Sequence, residues 1–436
     1  MITPKKSVLV MVYAVAIVPL VAVVGGSVWL YSDLYATGER FGQAVENGSS
    51  DLVPTEPQAF ERSDPPEPGQ DAAVLFKRAA AEWEQFPEEE RTRLVAESRL
   101  YALPGDKPDG RFGESFAKCR PFVQSLGQAA SLSDSRFQRQ WSGDTELLEP
   151  HYHTTIQFGR LMTAFALADA RDGRFDQAFN RLGQLRRIGW HISRDSGLDG
   201  LVTHVNLETQ ALAAAVEIAF NYGDRPGTID RYRAFLAERG TRPDLFRNMQ
   251  GEAMRTIHVL SRPDSFNDRM FSGSRLSINN PMFQRAAAVR MAEFWSSALE
   301  SSQEDGNDPF ASADSYRSAV RDFARLKSPS RIVPLAIADW NLARVGLAAS
   351  LEARYLLASA LAGALEGSHG TASLPESLGT IRELDPYTGE ALAYSKTAEG
   401  CAIWCAGSDR RMGSGSGDPA DVSLSIAGGT ASFEGQ

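Results

Sequence analysis

The feature that most constrains this chain is an uncharged run near its start. "SVLVMVYAVAIVPLVAVVGGSVWLY", Ser7 to Tyr31, contains no Asp, Glu, Lys or Arg. As a helix, such a run of about 25 residues rises roughly 37 Å, enough to cross a hydrocarbon core of about 30 Å. Backbone polar groups in lipid must be bonded internally, so a helix is the conformation a single such run can take. Pro19 would kink it, which a membrane span tolerates. Lys5 and Lys6 precede the run. They predict a cytoplasmic stub at 1–6 and export of everything after the span. Trp29, Tyr31 and Tyr35 would then lie in an outer aromatic belt. A secretory signal cut near Val24–Ser27 is the competing reading. The run is long for a signal core and continues through Val28, Trp29 and Leu30, which favours an uncleaved anchor over 7–31. Either reading places the bulk of the chain outside the cytoplasm. The expectation is a single-pass inner-membrane protein with its N-terminus cytoplasmic and its bulk extracytoplasmic.

Length and charge bound the rest. The 436 residues suffice for more than one domain, and the formal net charge of −10 argues against a nucleic-acid partner. Three cysteines, Cys119, Cys401 and Cys405, say little about redox state. If 401–405 is extended, Cys401 and Cys405 are about 13 Å apart, too far for a bridge. They read as small apolar core residues.

Residues 32–70 read as a stalk followed by a Pro-rich linker, "NGSSDLVPTEPQAFERSDPPEPGQ". A helical domain is expected over 71–330. Asp71 is a plausible N-cap, and Val74, Leu75, Ala79 and Trp83 recur at helical spacing. "LPGDKPDGRFGES", 103–115, reads as a Gly/Pro-rich interruption. Helices follow over about 150–172, 175–193, 198–222, 227–239, 243–261, 282–303 and 312–326, most of them punctuated by Gly or Pro. Another runs from about Ile332 to Leu365, and its Asp339, Arg344, Glu352 and Arg354 speak against a second membrane span. Short connections imply antiparallel neighbours. "FALADARDGRFDQAFNRLGQL" resembles the inter-helix turn of a tetratricopeptide repeat, with no second copy at about 34-residue spacing. Five of the seven tryptophans, Trp83, Trp141, Trp190, Trp295 and Trp340, sit among apolar helical residues, and core packing is expected for them. The fold class is therefore mainly α, an antiparallel helical array after one N-terminal transmembrane helix, with a small α+β module over 331–426 and a flexible tail at 427–436.

That C-terminal module resembles the globular part of type II secretion pseudopilins. "SLPESL", Ser373 to Leu378, follows the long helix; Asp385, Pro386, Tyr387, Thr388, Gly389, Leu392 and Tyr394 match a turn-and-strand motif. Ala406, Gly407, Ser408 and Asp409 match the start of that family's loop, and Asp418, Asp421 and Val422 its end. Tyr387 and Thr388 stand where the family has Trp and Gly, the pilin cleavage motif is missing, and some 300 residues of helices are inserted. The chain as a whole resembles large membrane-anchored helical envelope proteins of planctomycete-type bacteria that carry such a tail. The resemblance implies an envelope location, and calcium as a structural ion held by Asp409, Asp418 and Asp421. Serine hydroxyls and accessible carbonyls of "GSDRRMGSGSGDPAD" would complete six to eight oxygen ligands. Arg410 and Arg411 offer those acids another partner.

Other chemistry is sparse in the sequence. His151 and His153 are two apart and share a side only if extended; His204 and Glu208 are four apart on a helix, the spacing of a metal pair or of a helix-surface contact. There is no HExxH and no G-x-S-x-G elbow, and "GSGSGD" lacks the Lys-Ser/Thr of a phosphate loop. Three functional readings result: an envelope protein acting in protein interaction or assembly, a metal-dependent hydrolase with a cleft near His151, His153, His204 and Glu208, and an accessory component of a type II secretion-like system. No catalytic residue is assigned.

Overall fold

The computed structural model describes residues 28–40, 66–67, 69–102, 110–137, 150–194, 197–239, 242–261, 281–306, 308–366, 374–378, 383–413 and 421–435. The expected stub and most of the expected anchor, along with Trp141 and Asp418, lie outside the described residues. An N-terminal helix covers 28–39. Twelve helices follow among the described residues: α1 (Ala72–Glu84), α2 (Glu88–Ala102), α3 (Gly110–Lys118), α4 (Arg120–Ser131), α5 (Pro150–Arg171), α6 (Phe175–Ser193), α7 (Leu198–Tyr222), α8 (Thr228–Ala237), α9 (Leu245–Ser261), α10 (Pro281–Glu304), α11 (Pro309–Ala324) and α12 (Ile332–Glu366). A four-stranded sheet closes the chain: β1 (Ala393–Thr397), β2 (Gly400–Cys405), β3 (Val422–Ala427) and β4 (Thr430–Glu434).

Local signals account for the helix starts. Asp71 accepts a hydrogen bond from the Ala73 N–H at 2.9 Å and Asp308 one from Phe310 at 3.0 Å, each satisfying an orphan donor of the first turn. Gly173 (φ +78°) ends α5 and turns the chain into α6. The face that α1 buries differs from the expected one. Ala72, Ala73, Phe76, Ala79 and Trp83 are inside, whereas Val74 is exposed. The interruption expected at 103–115 is partly helix, since α3 begins at Gly110 and buries Phe112 and Phe116. Two aromatics at i and i+4 are one helical face, and that period outweighed the flanking glycines.

Helix α7 is the axis of the array. It packs against α5, α6, α8, α9, α12 and β4. Helix α12 is long and apolar enough, by length and composition, to cross a membrane. Here it packs against α7, α8, α10 and α11 on one side and β2 and β3 on another. Its charges serve those contacts: Arg344 pairs with Asp199, Glu352 with Arg239 and Arg242, and Arg354 donates to the Thr209 hydroxyl at 2.7 Å. Burial draws the Arg354 guanidinium down to about 10.

The sheet is an antiparallel meander in the order β1-β2-β3-β4. Cys401, Ile403 and Cys405 of β2 and Val422, Leu424 and Ile426 of β3 are buried, and these two strands are the ones that meet α12. All three cysteines are free and buried, as small apolar residues. Asp385 organises the entry to the sheet. Its carboxylate accepts from the N–H groups of Tyr387 at 2.8 Å and Ala406 at 2.9 Å.

The expected flexible tail at 427–436 is a strand over 430–434. Gly428 and Gly429, at φ +56° and +80°, form the two-residue turn whose handedness suits a hairpin, and Ala427 pairs with Thr430. The hairpin is then clipped to α7. The Glu217 carboxylate accepts from the Ala431 N–H at 2.8 Å and meets Arg99, while Arg99 donates to the Ala431 carbonyl at 2.9 Å. Asn221 donates to the Gly429 carbonyl at 2.6 Å. Glu217→Ala should strand the Ala431 N–H and Arg99 and lower the unfolding free energy by about 2–3 kcal/mol. Amide exchange in β4 should accelerate more than in β2; equal protection of β4 in both proteins would refute the clip.

Candidate functional site

The residues worth asking about converge between α6, α7, α8 and α12. Gly189 on α6 allows the close approach of α6 and α7 there: a Cβ at that position would lie 3.0 Å from His204 Nδ1 and 3.4 Å from the His204 Cα. Because neighbours pack on most of α7, several of its polar residues are enclosed. The helix-surface His204–Glu208 contact expected from their spacing is corrected: both are buried, at 2% and 3% exposure. Glu208 is held instead by Arg186 Nε at 3.0 Å and by the Tyr355 hydroxyl at 2.7 Å. Arg186 also donates to the Phe235 carbonyl at 2.7 Å, and its guanidinium lies 4.5 Å from the Phe235 ring centroid and 5.4 Å from that of Tyr355. Both charges are thus paired and hydrogen-bonded, and the guanidinium is also stacked, although its Nη2 has no hydrogen-bond partner among the described residues; pairing of this kind is what makes a buried ion pair tolerable. Burial pushes the Tyr355 hydroxyl up and lowers His204, with the Glu208 carboxylate opposing the latter.

This pair separates two spaces. On one side is a cavity of about 170 Å³, reached by His204, Glu208, Tyr355, Glu352, Arg239 and Arg242, with Leu245, Phe246 and Leu351 as apolar wall. On the other is an open groove of about 820 Å³ between α4, α6 and α8. Arg186 lines the groove, Glu208 lines the cavity and Arg239 borders both. The groove wall carries four arginines, Arg186, Arg187, Arg231 and Arg239, against two acids, Asp176 and Glu238. Three of these are paired, Arg186 with Glu208, Arg231 with Asp176 and Arg239 with Glu352, which leaves Arg187 as the arginine of the wall without an acidic partner among the described residues. Arg187 is exposed, and Trp190 lies beside it with the Arg194 guanidinium 4.6 Å from its ring. Asn180 and Gln184 add amide groups along the same stretch of α6.

The other sequence candidates disperse. His153 is exposed and bonded to Gln157 at 3.0 Å on α5, and it does not line the cavity with His204. His151 is in the first turn of the same helix. Asp409 is exposed and accepts from the Arg411 N–H at 2.9 Å. Asp421 is buried, with its carboxylate accepting from the Gly413 N–H at 3.1 Å. Among the described residues no group of three or more His, Cys, Asp or Glu is arranged to hold a metal ion. Two of the tryptophans expected in the core, Trp83 and Trp295, are fully buried; Trp190 is half-buried at the groove and Trp340 is exposed. The position of Trp340 on the outer side of α12 is the reason, since helical apolar spacing does not say which face is covered.

His191, which the sequence reading passed over, also borders the groove and is fully buried. Its only sequence mark is a place in the last turn of an amphipathic helix. Burial, then Arg194, lowers it to about 4, against small opposing effects of the Leu132 carbonyl and Asp134. No protein-family model, curated protein or solved structure matches the chain.

Two outcomes check this account. Arg186→Met should leave the Glu208 charge uncompensated and destabilise the protein by about 3–5 kcal/mol in urea unfolding, since a half-removed buried pair costs more than its net worth. For His191 the folded value lies below the unfolded one, so its contribution is fully present above about pH 6.5 and lost as pH falls toward 4. Between pH 7 and 5 the wild type should lose about 2 kcal/mol that His191→Leu does not lose. Parallel pH curves for the two proteins would contradict it.

Proposed function

We propose that this protein is a membrane-tethered, extracytoplasmic interaction module that takes an extended, acid-rich segment of an envelope partner into the α4–α6–α8 groove. The carrying observation is the groove itself: open, and bordered by an exposed arginine, Arg187, that has no acidic partner among the described residues. From Asp176 to His191 it follows α6 for roughly 22 Å, which suits about six or seven residues of extended chain. Rim charges steer and select such a segment, while Trp190 and the Arg186–Phe235 stack supply a firm floor. Glu208 is committed to Arg186 and Tyr355, which favours a structural part for it over the metal ligation or base chemistry a hydrolase would ask of it. An envelope setting follows from the apolar run at 7–31, and the pseudopilin-like tail makes a secretion-type assembly one source of the partner.

Photo-crosslinking in membranes from the native host tests the reading. A photoreactive residue at Asn180 should give a discrete adduct, and the same residue at Val74, exposed on α1, should not. Gly183→Phe fills the groove without disturbing a charge, because a Cβ there meets nothing within 4 Å. It and Arg187→Glu should each reduce the adduct at least about ten-fold, a loss of about 1.4 kcal/mol or more in binding. An adduct insensitive to both changes would refute the groove as the binding surface.

A further inference from the structure

Large exposed apolar side chains are concentrated in one part of this molecule among the described residues. Of the ten among the described residues, eight are Val28, Trp29, Leu30, Tyr31, Tyr35, Leu326, Ile332 and Trp340. The first five belong to the N-terminal helix, and the last three border the connection from α11 into α12 and the first turns of α12. These two stretches are bound to each other. The Asp33 carboxylate accepts from the Ser328 hydroxyl at 2.8 Å and the Ser330 N–H at 3.2 Å, with Arg290 at 3.7 Å. Thr37, one turn on, is buried, and Arg40 pairs with Glu293 at 3.3 Å. The N-terminal helix is therefore docked on the body by its Asp33–Thr37 side. Tyr31 and Tyr35 face away from that side, and Trp29, a turn before Asp33, is exposed.

On α12, Ile332, Ala336 and Trp340 recur every fourth residue and all are exposed, Ile332 at 53% and Trp340 at 59%. That is an apolar stripe over the first two turns, exposed among the described residues. Exposed Lys327 precedes it, and the Arg331 guanidinium, donating to the Ala324 carbonyl, lies at its edge. Arg325 is paired with Asp322 at 3.0 Å, and exposed Asp339 is the acid beside Trp340.

We infer that this stripe of α12, together with the outward face of the N-terminal helix, rests in the headgroup layer of the bilayer. The occupant is a lipid surface, and the inference depends on the reading of 7–31 as a membrane anchor. Distance carries the argument. Asp33 is four residues past Trp29, a rise of about 6 Å. The polar layer on one side of a bilayer is about 5–8 Å deep. An interfacial Trp29 therefore brings Ser328, Ser330 and the adjoining Ile332 into that same layer. Trp and Tyr favour this depth, and Lys327 and Arg331 suit anionic headgroups. Among the described residues nothing covers Trp340 and Ile332, and a lipid surface would take them out of water. A body clamped in this way holds one fixed face to the membrane, rather than ranging on a free stalk.

The full chain in vesicles of zwitterionic and anionic lipid provides the test. Single cysteines are placed at Trp340, Trp29 and Val74 and labelled with an environment-sensitive dye. The native thiols are buried and burial raises them, Cys119 to about 12 and Cys401 to about 11, so they compete poorly for label. Lipids carrying a quencher near the headgroup should quench the dye at 340 and at 29 at least about two-fold more than at 74, as interfacial depth requires. Quenching at 29 with 340 no different from 74 would overturn the docking and leave the anchor standing. No quenching at 29 or 340 would overturn both. Equal quenching at all three positions would also overturn the docking, since it would mean the dye itself seeks lipid.

Discussion

Four helices meet at one ion pair. Arg186 comes from α6, Glu208 from α7, the Phe235 carbonyl from α8 and Tyr355 from α12, and every one of these groups is bonded to another within the cluster. The pair is nearly free of solvent, so its geometry is rigidly demanded: a guanidinium without its carboxylate, or the reverse, is far costlier there than at a surface. The rest of the array is arranged around this requirement. The α6–α7 approach is close enough to enclose the pair, and α12 supplies Tyr355 from a point two-thirds along its length.

The same pair gives the molecule its two internal spaces. Its guanidinium side forms the floor of the groove and its carboxylate side the wall of the cavity. The bonds from Arg186 and Tyr355 to Glu208 hold this boundary in place, and in the proposed role a fixed floor would lower the ordering cost of a bound segment. The charges that remain exposed, Arg187 above all, are on the rim, where in the proposed role they would act on encounter and selectivity more than on raw affinity.

Much of the array was legible residue by residue. The stops at Gly173, Gly197 and Gly223 and the starts at Pro150, Phe175 and Leu198 are where α5, α6 and α7 begin and end, because capping and chain-turning chemistry is local. The C-terminal sheet was legible in its first strands and missed in its last. Gly428-Gly429 between two alternating runs is a hairpin signal that the reading of 427–436 as a flexible tail leaves out. The site was half legible. Spacing alone put His204 and Glu208 on one helical face, but it could not say that the face points inward, nor that Arg186 and Tyr355 would be there to meet it.

By itself the sequence determined the helical class, most helix boundaries in the middle of the chain, the turn at Asp385 and an apolar run long enough to cross a bilayer. All of these depend on residues within a few positions of one another. Which charges are buried, which tryptophans are exposed, and that residues 430–434 form a strand clipped to Glu217 were decided only by tertiary structure. The physical reason is that burial belongs to a surface and its cover together. A helix carries its own periodicity in its sequence, but whether a given face meets water, lipid or another helix depends on partners more than a hundred residues away, as Glu208 with Tyr355 and Asp33 with Ser328 both show.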